Sequence, residues 1–383
     1  MGKKTTISFK IDHLDPMGQG VYKSDDEIFF ISGTLPGEEG EAQISASKKN
    51  IHFGYLVSPE KLTKPSPLRK DSKCEHFNEC NGCHYLHTDY EQEVKFKSNS
   101  LQRRIDLYQR NIGIHGLTFN VIEATERLNY RSRIQLHYDL SKKSLGFIGN
   151  NKKNIIEVPK CQILIPEIEK KLIEIYKDDQ WVSSIPKSAP RQGHLEIILN
   201  SVGEVNIIFN GPYAHGGFTQ VHRKMNTILQ KLVLKMSKEH CPKPIVLLDL
   251  FGGSGNLSKR FSPTPTIVID NHDSQLLVES DGHQKFIKQN LYSKDAPTFV
   301  QNYVKKGALA LIDPPRSGLK NLEEFFPENT EVDCLIYVSC NPATMFRDLE
   351  KIPYYKIIDL YLVDLFPGTH HYEVVACLQK INK

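Results

Sequence analysis

Ile245-Val246-Leu247-Leu248-Asp249-Leu250-Phe251-Gly252-Gly253-Ser254-Gly255-Asn256 decides the architecture of this chain. Its first seven residues are almost all apolar, so the stretch reads as a strand buried on both faces, the kind found in parallel sheets. Three glycines follow at once. They let a ligand approach the backbone at the carboxyl end of such a strand. No Gly-Lys-Ser/Thr follows, so the turn is not a phosphate-binding P-loop. From about residue 224 onward, helical and strand patterns alternate. Met225 to Ser237 reads as a helix. Further buried strands are expected at 266–270, 308–313 and 334–339, with a weaker one at 286–290. Residues 357–363 and 374–378 read as a terminal antiparallel hairpin. About seven strands result, with stunted crossovers after 258 and 272. The fold class is α/β, a doubly wound Rossmann-like sheet over 216–383. Asp249, Asp270 and Asp313 each end or nearly end a strand around the Gly-rich turn, where an acid would hold ribose hydroxyls. A capping Asp at one strand end is commonplace; three around one turn point to a site.

Val338-Ser339-Cys340-Asn341-Pro342-Ala343-Thr344-Met345 places a cysteine on a tight strand-to-helix turn. Pro342 suits the first turn of a helix. Free N–H groups at such a terminus are expected to stabilise a thiolate, the nucleophilic form. An isolated Cys is more often a small buried hydrophobe; polar Ser339 and Asn341 on either side weaken that reading. Downstream, Phe366-Pro367-Gly368-Thr369-His370-His371-Tyr372-Glu373 ends on a carboxylate that opens an apolar strand. A part-buried carboxylate there carries a raised pKa and can act as a base, whereas an edge Glu would simply face solvent.

Residues 1–60 read as a small β-barrel of the OB type, with about five short strands and Gly-rich turns at 18–20 and 35–40. Residues 61–73 are rich in Pro and Lys and read as a linker. Cys74, Cys80 and Cys83 then fall within ten residues. His76, His84 and His87 nearby leave zinc open, although no second CxxC or HxxxH follows. Cys161 offers a fourth thiolate, and four cysteines fit an iron–sulfur cluster. Residues 86–112 carry a helical pattern and 119–158 return to strands. Arg131 and Arg133 are expected on one strand face, a pair able to grip phosphates. Residues 165–176 read as a helix, and 194–199 with 205–209 as a hairpin.

The chain has 383 residues, enough for two or three domains, and a formal net charge of +4. No apolar run approaches the ~18 residues of a membrane span, so no membrane partner is expected. The basic N-terminus lacks an apolar signal region, so a cytoplasmic location is expected. There the eight cysteines favour metal ligation or catalysis over disulfides. Lys48, Lys49, Lys61, Lys64, Arg69, Lys70 and Lys73 outnumber Glu60 and Asp71 in their stretch, either as a solvated linker or as a footprint for nucleic acid.

Together these residues resemble the family of RNA 5-methyluridine (uracil-C5) methyltransferases, of the iron–sulfur type acting on 23S ribosomal RNA. The resemblance rests on Gly18-Gln19-Gly20-Val21 and Leu35-Pro36-Gly37-Glu38 in the barrel, the four cysteines, Phe218-Thr219-Gln220, the Gly-rich turn, Asp313-Pro314-Pro315-Arg316, Ser339-Cys340-Asn341-Pro342 and the late Glu373. It implies a TRAM-type RNA-binding barrel over 1–60, a central iron–sulfur domain over 61–215 whose helix 90–112 packs on the catalytic domain, and a class I methyltransferase domain over 216–383. It implies S-adenosylmethionine bound by Gln220, Phe251, Asn256, Asp270 and Asp313, and a 4Fe–4S cluster held by Cys74, Cys80, Cys83 and Cys161. Cys340 is the implied nucleophile and Glu373 the base. RNA is the implied partner and a monomer the expected state. Three departures stand out: His222 where the family has Asn, Gly253-Ser254 where it has Cys-Gly, and Asn290 where it has an acid. The Arg after the two prolines argues against methylation of an exocyclic amine, which favours an aromatic there. A tRNA uridine, an RNA cytosine C5, or a non-catalytic iron–sulfur RNA binder are the competing readings.

Overall fold

The computed structural model describes residues 5–149, 154–177, 180–200, 202–211, 220–241, 243–271 and 282–381. Phe218 and Thr219 of the Phe-Thr-Gln motif, and the crossover after 272, lie outside them. The first sheet is built from β1 (Thr6–Lys10), β2 (His13–Leu14), β3 (Gly20–Ser24), β4 (Glu27–Ser32), β5 (Glu39–Lys48), β6 (Ile51–Tyr55) and β7 (Leu62–Lys64). Its order is β1-β5-β6-β4-β3-β2, with β7 added on β5. Alternating residues Phe9, Ile11, Phe29 and Ile31 point inward and form its core. The Lys/Pro stretch after residue 60 is not a free linker. Glu38, fully buried, would be an uncompensated charge; Arg69 reaches back to it through Nε at 2.5 Å and a second nitrogen at 2.7 Å. The burial of one carboxylate thus ties the segment to the barrel.

Helix α1 (Tyr90–Ile112) and the short strand β8 (Asn120–Ile122) come next. The second sheet follows: β9 (Arg133–Asp139), β10 (Ser144–Ile148), β11 (Ile155–Ile156), then α2 (Pro166–Tyr176) and α3 (Gln180–Ser184), then β12 (Gln192–Leu199) and β13 (Val205–Phe209). The order is β11-β10-β9-β12-β13, antiparallel throughout. Ile134, Leu136, Leu195 and Ile197 pack under Ile168 and Leu172 of α2. Arg133 does not offer a phosphate grip. It makes a two-nitrogen pair with Glu196 of β12, because the two stand nearly opposite in the ladder. Arg131 turns away towards the cysteines.

The third sheet follows α4 (Arg223–His240). It contains β14 (Val246–Leu250), β15 (Thr266–Asp270), β16 (Gln284–Lys288), β17 (Ala308–Ile312), β18 (Val332–Ser339), β19 (Tyr355–Val363) and β20 (Glu373–Lys380). Helices α5 (Ala296–Gln301), α6 (Leu322–Phe325) and α7 (Pro342–Leu349) cover it with α4 and α1. The order is β16-β15-β14-β17-β18-β20-β19-β8, parallel from β16 to β18. Strand β20 runs antiparallel to both its neighbours. The eighth strand, β8, was not expected in this sheet. It is three residues long, and pairing with β19 is a tertiary decision that no local pattern announces. Helix α1 buries Leu101, Ile105 and Tyr108 in the same core. After β14 the crossover is only a short 3-10 turn at Ser258–Phe261, as stunted as its sequence suggested.

One expectation fails outright. Cys241, at the C-terminal cap of α4, is joined to Cys334 of β18 in a disulfide. The cap lies over the strand with 6.2 Å between the two Cα atoms, within bridging reach.

Candidate active site

Strand register brings Cys340 and Glu373 together. In the β18–β20 ladder Ser339 stands opposite Val374, so the next pair outward is Cys340 and Glu373. Cys340 follows the last residue of its strand; Glu373 is the first of its own. Glu373 is 4% exposed, and its Oε2 has no hydrogen-bond partner. That solvent-facing alternative for Glu373 is therefore excluded. Burial, then the nearby Asp313, push its carboxyl well above the usual range, against the pull of Arg316. The expected thiolate at Cys340 is not what the free protein holds. Burial, then Glu373 and Asp313, push its thiol up to about 12, and the opposing Arg316 does not offset them. Two carboxyls outweigh the short helix beyond it.

Arg316 is a site residue that the sequence reading used only to exclude a chemistry. Its carbonyl accepts from the Asn341 side-chain amide at 3.0 Å and from Thr344 Oγ1 at 3.2 Å. The Asp-Pro-Pro-Arg turn is thereby latched to the start of α7. Its guanidinium meets His371 Nε2 at 3.3 Å. Burial, then Arg316, hold His371 at a pKa of about 3, so the ring is a neutral acceptor.

The Gly-rich turn sits one strand away. Phe251 has φ +60°, and its ring lies 5.3 Å from that of Tyr292. Tyr292, half exposed, donates to Gly318 O at 3.0 Å, closing one wall against the turn after Arg316. Nothing in the local sequence singled it out. Asp270 Oδ2 accepts from the Gly253 amide at 3.0 Å. Gly252 is required here: a Cβ would lie 2.6 Å from Asp249 Cγ and 2.7 Å from Val268 Cγ1. Asp249 and Asp313 are both pushed up to about 7, first by burial; Asp249 and Asp270 add to this at Asp313, and Asp270 adds to it at Asp249 against the Ser258 hydroxyl. Such mutual repulsion marks a site built for positive charge. Gln220 is buried beside the start of α4. The Asn256 amide is spent locally: it exchanges two 2.9 Å hydrogen bonds with Asn226 and accepts from Gln230 at 2.8 Å.

Cys74, Cys80, Cys83 and Cys161 line one cavity with Arg131, Leu86, Phe147 and Ile163. Burial is the first cause raising all four thiols, Cys80 to about 11, while Arg131 pulls Cys80, Cys83 and Cys161 the other way. Among the described residues, no three of these sulfurs all lie within 4.8 Å of one another.

The cavity is fastened to the turn that precedes Glu373. Gly368 O accepts from the amides of His84 at 2.7 Å and Tyr85 at 3.0 Å, just after Cys83. Gly368 N donates to Glu93 Oε1 at 2.6 Å. Lys97 Nζ, 1% exposed, bridges Glu93 and Asp364 at 2.8 Å each. Tyr130 donates to Pro367 O at 2.9 Å.

Residues 300–381, which hold Arg316, Cys340 and Glu373, match the family model "tRNA (Uracil-5-)-methyltransferase". That match spans the C-terminal part of the chain. The chain is 27% identical to the 23S rRNA (uracil(1939)-C(5))-methyltransferase RlmD of a Marinomonas species, over 97% of this chain and 94% of that one. The RlmD of Legionella pneumophila is likewise 27% identical, over 98% of each chain. The crystal structure of Pyrococcus abyssi tRNA (uracil-54, C5)-methyltransferase, in complex with S-adenosyl-L-homocysteine, superposes with a TM-score of 0.68 at 20% identity. It covers 97% of this chain and 99% of that one, which establishes the fold.

Each of the three departures from the family pattern has a local substitute. His222 caps α4, its Nδ1 accepting from Met225 N at 3.5 Å, and stacks on Tyr130 with ring centroids 4.7 Å apart. Asn290 turns its amide oxygen to Tyr292 N at 3.0 Å and so shapes the loop that carries that ring. Gly253 has φ +54° and leaves its amide open to Asp270, which a side chain at 253 would strain.

Proposed function

We propose that this chain transfers the methyl group of S-adenosylmethionine to C5 of a uridine in 23S ribosomal RNA, with Cys340 as nucleophile and Glu373 as base. The observation that carries the reading is that Cys340 and Glu373 lie just beyond the last pair of one antiparallel ladder, Ser339 with Val374, close enough for the Glu373 charge to act on the thiol. The bound donor supplies an electrophilic methyl and a positive sulfonium. Asp249, Asp270 and Asp313 form the acidic end of the sheet suited to that charge, and Phe251 with Tyr292 the apolar wall.

In the free protein both Cys340 and Glu373 hold their protons. A cation arriving beside Asp313 and Glu373 favours their ionised forms. The same positive charge favours the Cys340 thiolate; the thiol proton leaves to solvent, and the sulfur bonds to C6 of a uridine extruded from the RNA. C5 becomes an enolate carbon and takes the methyl. Glu373 removes the C5 proton, the C5–C6 double bond returns, and the S–C6 bond breaks. Arg316 holds the two partners' charges in check and fixes the Asp-Pro-Pro turn against α7.

The four-cysteine cavity is assigned to a 4Fe–4S cluster. A tetrahedral zinc site has sulfurs about 3.8 Å apart, from Zn–S bonds of about 2.3 Å; this set is more open. Arg131 beside it would offset cluster charge. The barrel, with the basic stretch Lys61, Lys64, Lys70 and Lys73 tied to it through Arg69, is assigned to RNA contact.

Mass-spectrometric nucleoside mapping of ribosomal and transfer RNA from a deletion strain tests the assignment. Loss of one 5-methyluridine from 23S RNA is expected. Loss confined to tRNA would move the substrate; unchanged RNA would overturn the activity.

A further inference from the structure

Three cysteines remain that the proposed reaction and the cluster do not use. Cys241 caps α4, Cys334 lies on β18 and Cys377 on β20, and their sulfurs all fall within 4.8 Å of one another. A disulfide explains two of them. It leaves Cys377 fully buried, with its sulfur 3.8 Å from that of Cys334. That separation matches the sulfur–sulfur edge of a zinc tetrahedron, about 3.8 Å for Zn–S bonds of about 2.3 Å. Two further donors stand nearby, outside that sulfur group. Asp359 stands directly opposite Cys377 in the β19–β20 ladder. His240 precedes Cys241 in the chain, and its Nε2 lies 3.4 Å from Asp359 Oδ2. A carboxylate holding one ring nitrogen is the usual outer support of a ligating histidine.

We propose that, with the Cys241–Cys334 pair reduced, Cys241, Cys334, Cys377 and His240 form a tetrahedral site for a zinc-class divalent ion. The chemistry balances. A thiol reductant delivers two electrons and two protons to the disulfide. The ion then displaces three thiol protons, which leave to solvent, and binds three thiolates and one neutral imidazole. Asp359 takes the imidazole N–H. Three soft sulfurs with one nitrogen select zinc over magnesium or calcium, which want oxygen. The site would clamp the end of α4 to β18 and β20, the two strands whose other ends carry Cys340 and Glu373. It stands independently of the reaction assigned to them.

The test uses the full chain purified anaerobically with a thiol reductant, then given zinc and dialysed. One zinc per chain is expected, with zinc-edge X-ray absorption reading three sulfurs and one nitrogen. Cys377→Ala keeps a small apolar group in the core and should lose the ion while keeping the iron. His240→Gln, nearer the surface, should keep the three sulfurs and lose the nitrogen, which covers the case of a Cys377→Ala variant that fails to fold. Zinc in a four-sulfur shell untouched by either substitution would place the ion among Cys74, Cys80, Cys83 and Cys161 and overturn the proposal. So would a reduced chain that takes up no zinc.

Discussion

The cavity of four cysteines and the pocket of Cys340 bury their thiols in much the same way, yet their surroundings are opposite in sign. Around Cys80, Cys83 and Cys161 the charged neighbour that lowers the pKa is Arg131. Around Cys340 the strongest charged neighbours are carboxyls, Glu373 and Asp313, with Arg316 in opposition. Burial alone protonates a thiol in either place. What differs is what can remove the proton. A metal centre deprotonates its ligands outright, so the cavity needs only space and a cation to share the charge. Under the proposed reaction the Cys340 pocket waits for a cationic donor and a substrate, which would keep the nucleophile silent until both are present.

The contrast can be broken most severely at Cys340. Cys340→Ala should lower methyl transfer by at least about a thousandfold while donor binding, followed by calorimetry, persists; near-normal turnover would end the assignment of the nucleophile. Glu373→Gln keeps the shape and removes the basicity. It should slow turnover by about 10²–10⁴-fold and accumulate a methylated protein–RNA adduct that survives denaturing electrophoresis. The adduct should vanish when Cys340 is also replaced. Absence of both adduct and activity would give Glu373 a positioning role instead. Cys161→Ser should bleach the brown colour expected of anaerobically purified protein and release iron, with Cys340 still reactive towards an alkylating reagent at high pH. Unchanged iron content would remove Cys161 from the ligand set.

Lys97 sharpens the comparison because it lies between the two regions. Lys97→Ala leaves Glu93 and Asp364 buried without their shared cation, and about 3–5 kcal/mol of stability should go, read from denaturant midpoints. A Lys97→Met protein as stable as the parent would contradict the need for that charge. The smallest effect concerns pH. Asp249 and Asp313 have native pKa values raised to about 7, above the unfolded value of about 3.9. The folded state therefore binds these protons more tightly. Their stabilisation is complete below about pH 4 and is lost as pH rises through about 7. Melting temperature without donor should fall across that window, and Asp249→Asn should flatten the fall. A melting temperature that rises there would contradict the repulsion among these acids.

Much of this was legible in one dimension. The run at Ile245–Phe251 has no polar face, so it had to lie inside a sheet covered on both sides. Asp249, Asp270 and Asp313 each end a strand of such a sheet, and parallel strands put their carboxyl ends on one side. Cys340 and Glu373 could be picked out because polar, reactive residues interrupted apolar strands. Other features were not legible. Arg133 looked like an RNA contact until Glu196 appeared across the ladder. The stretch from Lys61 to Lys73 looked free until the buried Glu38 claimed Arg69.

The sequence by itself determined the three bodies of secondary structure, the candidate thiol and carboxyl at Cys340 and Glu373, and the grouping of Cys74, Cys80 and Cys83. These follow from local periodicity and residue chemistry, which act over a few positions. Only the tertiary structure decided which strand ends face each other, and therefore that Cys340 opposes Glu373. It alone drew β8 into the catalytic sheet, set Tyr292 beside Phe251, and brought Cys241, Cys334 and Cys377 together from positions far apart in the chain. Such pairings are settled by sheet register and by the cost of leaving buried charge unmatched, and both depend on distant parts of the chain that no local window contains.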